Sequence, residues 1–211
     1  MRKLILGLGL FLIAFGLRAQ EVTKIEVKPV GVYAEINIDG QNRMMKQLYD
    51  PKTRNSAVDS VFNNLWNYNP PVLYVFSQAL FLNGEKNSAI EWYLYAQLNA
   101  MYDAARCADN SAKQAVLILE ENVMPMFGDY LKQNKTMEKN SAEKALALFD
   151  KLQPNYDIRW INLHGVGAFM GVFNEEAPKE TPKLTEDKVL WPMLKSNVIK
   201  EFTASHGLKE K

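Results

Sequence analysis

Two apolar segments that only a few residues separate constrain this chain more than any other feature. "PVLYVFSQALFLNG" starts behind Pro70-Pro71 and ends at Gly84. Proline suits the first turn of a helix because the N–H it lacks has no intrahelical role there. Glycine suits the position just past the last turn. "EKNSAIEWYLYAQLNAMYDAARC" follows at once and reads as a second helix from about Glu85 to Cys107. Helices with so short a join pack antiparallel. The spacing predicts a hairpin in which Ala89, Tyr93 and Ala96 face the first helix.

The rest of the chain adds helices around this pair. Ser56 suits the cap of a short helix over "AVDSVFNNLW". "DNSAKQAVLILEENVMPMFGDYLKQ" reads as helix, capped by Asn110 or Ser111 and broken at Pro125. "NSAEKALALFDKLQ" reads as another, capped by Asn140 or Ser141 with Pro154 beyond its end. "IRWINLHGVGAFMGVF" is apolar and punctuated by Gly165, Gly167 and Gly171, as a tightly packed helix is. "NEEAPKETPK" reads as a loop, and Thr185 starts a last short helix. Only the N-terminal part has a different period. In "VGVYAEINIDG", Val30, Val32, Ala34, Ile36 and Ile38 alternate with polar or aromatic neighbours, and Asp39-Gly40 reads as a turn. With "VTKIEVKP" as its partner, this predicts a β ribbon over residues 22–45.

Between about residues 71 and 97 the chain resembles the tetratricopeptide and Sel1-like helical repeats. Leu73, Phe76, Ser77 and Leu80 match the first helix of that unit, Gly84 its turn, and Ala89, Tyr93 and Ala96 its second helix. Ser77, Ala89 and Ala96 are small where helices approach closely, and Leu80 and Tyr93 fill the space beside them. No second clean copy occurs, and a solenoid needs about three stacked units. The expected fold is therefore mainly α: one helical domain holding a single TPR/Sel1-like hairpin and a short N-terminal β ribbon. Its parts are the ribbon at 22–45, a helical core at 56–173, and a loop with a short C-terminal helix at 174–211.

Export is read from the first residues. "MRKLILGLGLFLIAFGLRA" has a basic start at Arg2 and Lys3, an apolar run from Leu4 to Leu17, and a small-residue exit. The run is short for a membrane span, which takes about 20 apolar residues. Residues 1–19 are expected to be a cleaved signal peptide and 20–211 the mature, periplasmic or extracellular domain, with no stable span after cleavage. Removing Arg2, Lys3 and Arg18 from 25 basic residues leaves 22 against 24 acidic ones, a net charge of −2. So even a balance lacks the basic surface that nucleic-acid binding needs. The single Cys107 has no partner for an internal disulfide and reads as a buried small apolar residue, a free or interchain-bridging thiol being the other reading.

Two constellations carry possible chemistry. On the second helix Trp92, Tyr95, Asn99, Asp103 and Arg106 step by three or four, off the stripe of Ala89, Tyr93 and Ala96. They read either as a structural ion pair with its neighbours or as a groove for a ligand or protein partner. "RWINLHGVGAF" combines Arg159, Trp160 and His164, with Trp160 and His164 on one face of a helix. A lone histidine at this point has no nucleophile motif and no second ligand at metal spacing beside it. Met124 and Met126 suit soft metals, but without Cys or His nearby they read as core. No cofactor and no metal is implied. The candidate binding residues are Tyr95, Asn99, Asp103, Arg106, Trp160 and His164, and no catalytic residue is assigned. The expected function is an exported protein-binding module, similar to periplasmic immunity or inhibitor proteins. The alternative is an exported hydrolase or small-ligand-binding protein using His164, Arg159 and Asp103.

Overall fold

The computed structural model describes residues 29–173 and 181–209, and these are mainly helical. The helices are α1 (Asp39–Tyr49), α2 (Arg54–Phe62), α3 (Pro70–Leu82), α4 (Lys86–Arg106), α5 (Ala115–Gln133), α6 (Lys135–Lys151), α7 (Val166–Phe173) and α8 (Trp191–Ser205). Short 3-10 segments precede α1, α3, α5, α7 and α8. The expected signal peptide, and residues 22–28 of the expected ribbon, lie outside the described residues.

The central hairpin forms from local signals. Asn69 caps α3 by accepting a hydrogen bond from the Val72 N–H at 3.4 Å, and Pro70 and Pro71 occupy the first turn. At the other end Gly84 takes φ +88°, where a Cβ would be strained. The Gly84 N–H then donates to Phe81 O and the Glu85 N–H to Leu80 O, each at 3.0 Å, closing a Schellman turn. The chain doubles back at once. Tyr74 meets Tyr93 and Phe76 meets Trp92, with ring centroids 5.8 and 5.9 Å apart. As one number of each pair rises the other falls, so α3 and α4 run antiparallel. Ala89 and Ala96 are fully buried on α4, and Ser77 is fully buried on α3.

Helix α4 is the axis of the domain. It packs against α3, α5, α6 and α8, and α1 covers another side of α3. Few of its residues reach solvent, because neighbours surround it on several faces. That circumstance decides the fate of the polar stripe.

The expected ribbon is not formed over the described part of 22–45. Gly31–Glu35 is a 3-10 segment and α1 begins at Asp39. An alternating strand buries one face against a partner strand. Here Tyr33 and Ile36, which alternation puts on opposite faces, are instead buried together against Ala168 and Leu184. A three-residue step suits a 3-10 turn. Among the described residues the β pairing is one isolated antiparallel bridge between Cys107 and Thr185.

Helix boundaries also differ from expectation in places. Thr53, not Ser56, precedes α2, and the Ser56 hydroxyl donates to Thr53 O. Helix α6 starts at Lys135, so Asn140 and Ser141 lie inside it, and Ser141 is buried beside Ala142 and Ala145. Helix α5 runs through Pro125. The buried stripe of Val123, Phe127 and Leu131 spans the proline and holds both halves to one core. The segment 158–173 is two pieces: a 3-10 segment Ile158–His164 and then α7. At Gly165, between them, a Cβ would collide with the Asp109 carboxylate and the Ala112 methyl. Helix α8 is longer than the short helix expected, with 15 residues, and it buries Val198 and Phe202.

Candidate functional site

The structure brings the α4 stripe and Trp160 together, and it buries them. Asp103 is 1% exposed and Arg106 5%. The Arg106 guanidinium donates through Nη2 to Asp103 Oδ1. Trp160 Nε1–H donates to Asp103 Oδ2 at 2.7 Å, and the Tyr156 hydroxyl donates to the same oxygen at 3.0 Å. Arg106 lies 3.9 Å from the Tyr102 ring centre and 4.9 Å from that of Trp191. Burial raises the pKa of the Asp103 carboxyl, while Arg106, Trp160 and Tyr156 pull it down. Asn99 Nδ2 donates to Tyr95 O at 2.8 Å, and Tyr95 packs edge-on against Trp92.

This cluster ties two parts of the chain to the end of α4. Asp103 holds Tyr156 and Trp160 of the 152–164 connection. Arg106 holds Trp191, the first residue of α8. The backbone repeats the tie, since the Glu186 N–H donates to Arg106 O at 2.7 Å. A carboxylate that accepts from three donors and is 1% exposed is out of reach of a substrate. The arrangement is a structural ion pair locked by aromatic side chains. Tyr102, Tyr156 and Trp191 belong to it as fully as the residues picked from the sequence; Tyr102 lies one helical turn before Arg106 on α4, whereas Tyr156 and Trp191 come from other elements, where no spacing rule connects them.

The second constellation divides. Trp160 points into the cluster, whereas His164 is an exposed residue whose ring lies edge-on against the Trp160 ring at 5.8 Å. Desolvation by the surrounding chain pushes the His164 pKa down. No hydrogen bond joins His164 to Asp103 or Arg159, so no acid orients it. Arg159 is committed to Asp157, with Nε–Oδ1 at 3.0 Å and Nη2–Oδ2 at 2.8 Å. Burial works against ionisation of Asp157, but these bonds outweigh it and hold the carboxyl below the usual range. The Cys107 thiol is buried and directed at Asn162 Oδ1 and Asp109 O, each at 3.4 Å. Among the described residues, no group of three or more His, Cys, Asp or Glu side chains is placed to hold a metal ion.

A second polar assembly had no signal in the sequence beyond its single histidine. Gln97 on α4 donates through Nε2 to Glu120 Oε1 on α5 at 2.7 Å. Its Oε1 faces His206 Nε2 at 3.0 Å, just past α8. His206 Nδ1 lies 3.4 Å from Glu138 Oε1 on α6, and Lys135 holds the other oxygen of Glu138 at 2.8 Å. Four helices meet at this ring.

On the surface, an open depression of about 630 Å³ lies between the start of α4 and the turn joining α5 to α6. Asn87, Ser88, Asn134 and Asn140 line it, and a Lys144–Glu91 ion pair at 2.9 Å crosses its wall. A different surface is apolar. Helix α7 reads VGAFMGVF, with no polar side chain. Val166, Phe169 and Met170, at i, i+3 and i+4, are 60, 55 and 46% exposed. Ala168 and the two glycines 165 and 167 form the tight contacts on the inner side. The Val166 N–H donates to Ser111 Oγ at 2.8 Å, which joins the start of α7 to the chain leading into α5, where Leu117 and Ile118 are also exposed. No described helix is long and apolar enough to cross a membrane. No family model, curated protein or solved structure matches this chain.

Proposed function

We propose that this protein is an exported protein-binding module, of the kind that holds a periplasmic partner as an immunity or inhibitor protein does. The observation that carries the binding part is the exposure of Val166 and Met170 on α7. An all-apolar helix is ordinarily buried, and monomeric soluble proteins seldom expose contiguous apolar patches unless something docks there. A protein partner with an apolar surface of its own is the occupant this face suits. Export rests on the sequence of residues 1–19. The resemblance of residues 71–97 to tetratricopeptide and Sel1-like hairpins supports a binding role by analogy of fold. The hydrolase reading receives less support, because Asp103 is committed to three donors and Arg159 to Asp157.

Val166→Asp and Met170→Asp test the proposal. Each is placed at an exposed position, so the far-ultraviolet spectrum and the melting temperature should stay close to those of the parent protein. A partner cross-linked to the parent in the envelope fraction should be lost from both variants. Retention of the same partner by both folded variants would remove α7 from the interface. A hydrolytic activity abolished by His164→Asn in a folded protein would replace the binding reading altogether.

A further inference from the structure

Met124 on α5 stands between water and the core. It is 39% exposed and lines an open depression of about 540 Å³ together with Glu121, Pro125 and Gly128. Gly128 keeps that depression open beside the side chain, since a Cβ there would lie 3.8 Å from the Met124 methyl. On the inner side, the Tyr93 hydroxyl of α4 donates to Met124 Sδ at 3.4 Å. Tyr93 is buried, and its ring packs on the fully buried Phe127 with centroids 5.2 Å apart. Burial, with Glu120 and Glu138 nearby, pushes the Tyr93 pKa up, so the hydroxyl keeps the proton it donates.

A thioether sulfur has two lone pairs, and here they face different surroundings. One accepts from Tyr93 against the aromatic core. The other is left on the side of the depression. Met170 and Met193 are more exposed, at 46 and 54%, but neither sulfur accepts a hydrogen bond among the described residues. The sulfur of Met137 does accept one, from Ser141 at 3.5 Å, but that residue is half-buried. Met126, the other methionine of the "MPM" triplet, is half-buried against the core.

We propose that Met124 is an oxidation site, which hydrogen peroxide converts to a single sulfoxide epimer because Tyr93 occupies the inner lone pair. The outer lone pair attacks one peroxide oxygen. An S–O bond forms as the O–O bond breaks, and the second oxygen departs as hydroxide. That hydroxide takes the proton from the transferred oxygen and becomes water. Sulfur is oxidised by two electrons and the peroxide is reduced by two. The product places a polar, chiral group on a wall that was apolar, and sulfoxide reductases, one for each epimer, reverse the change.

Limited peroxide treatment of the folded protein, followed by digestion and mass spectrometry, tests this. Fragment ions separate Met124 from Met126, and Met124 should gain one oxygen. The reductase for one epimer should restore its mass, and the reductase for the other should leave it oxidised. Met170 and Met193 are the internal references, and each reductase should restore about half of their sulfoxide. Treatment in urea, where Tyr93 no longer covers the sulfur, should make Met124 respond as the references do. Tyr93→Phe keeps the ring and removes the hydroxyl, so in the folded variant Met124 should oxidise faster and with less preference between epimers. Should Tyr93→Phe not fold, the comparison of folded and urea-treated parent protein carries the test. Met124 left unoxidised while Met170 and Met193 react, an equal response of folded Met124 to both reductases, or a preference that persists in urea or unchanged in folded Tyr93→Phe would each overturn the proposal.

Discussion

Replacing Asp103 by Asn removes one charge while keeping the shape of the side chain, and its consequence follows from what Asp103 touches. The carboxylate accepts from Arg106, from Tyr156 at 3.0 Å and from Trp160 at 2.7 Å. An amide has one acceptor oxygen and two donor hydrogens. Whichever way it turns, its NH2 faces either the guanidinium or the tyrosine and indole donors. Arg106 keeps its charge, because guanidinium does not deprotonate in proteins, and it remains 5% exposed between Tyr102 and Trp191. Breaking one side of a buried ion pair costs about 3–5 kcal/mol. For a domain of this size that is a fall in melting temperature on the order of 10 °C. The control is Asp129→Asn, whose partner Lys132 and own side chain are 76 and 89% exposed. An exposed pair is worth about 0–1 kcal/mol, so that variant should melt with the parent. The double variant Asp103→Leu with Arg106→Met should recover part of the loss, because apolar replacement of a whole buried pair is often neutral. Thermal and urea melts followed by circular dichroism give all four numbers. A cost for Asp103→Asn no larger than that for Asp129→Asn would refute the reasoning, and with it the structural role of the cluster.

Ala96→Leu, at a fully buried position against α3, should overpack the hairpin and cost about 1–3 kcal/mol in urea unfolding. Leu82→Ala, exposed at the end of α3, should stay within about 0.5 kcal/mol of the parent. Gly165→Ala should also destabilise, by about 1–3 kcal/mol, because its methyl would enter the space of Asp109 and Ala112; an unchanged melt would mean that the 3-10-to-α7 junction yields freely. Partner capture should fail in Val166→Asp and persist in His164→Asn, as read by cross-linking with both variants folded.

The central hairpin was legible because its information is local. Pro70-Pro71, Gly84 and an apolar period of three to four each act within a few residues, and α3 and α4 end within a residue or two of where those signals put them. The small residues Ser77, Ala89 and Ala96 marked a close helix contact for the same reason. The ribbon over 22–45 was misjudged where it is described because alternation does not by itself exclude a 3-10 turn. Tyr33 and Ile36 take their conformation from Ala168 and Leu184, more than a hundred residues away along the chain.

What the sequence determined by itself was which residues of α4 share a stripe, since helical spacing is a property of the backbone. It did not determine whether that stripe meets water. Tyr95, Asn99, Asp103 and Arg106 line up as the periodicity requires, but whether they bind a partner or brace the core depends on what stands opposite. Tyr156, Trp160 and Trp191 stand there, brought from 50 to 90 residues away by chain closure that no local rule encodes. The same holds for His206, which looks like a surface residue at the end of a chain until Gln97 and Glu138 are folded against it. A short-range signal specifies an element and its faces. Desolvation, which decides whether a polar face is a site or a strut, is a property of the assembled neighbours, and so only the tertiary structure could decide it.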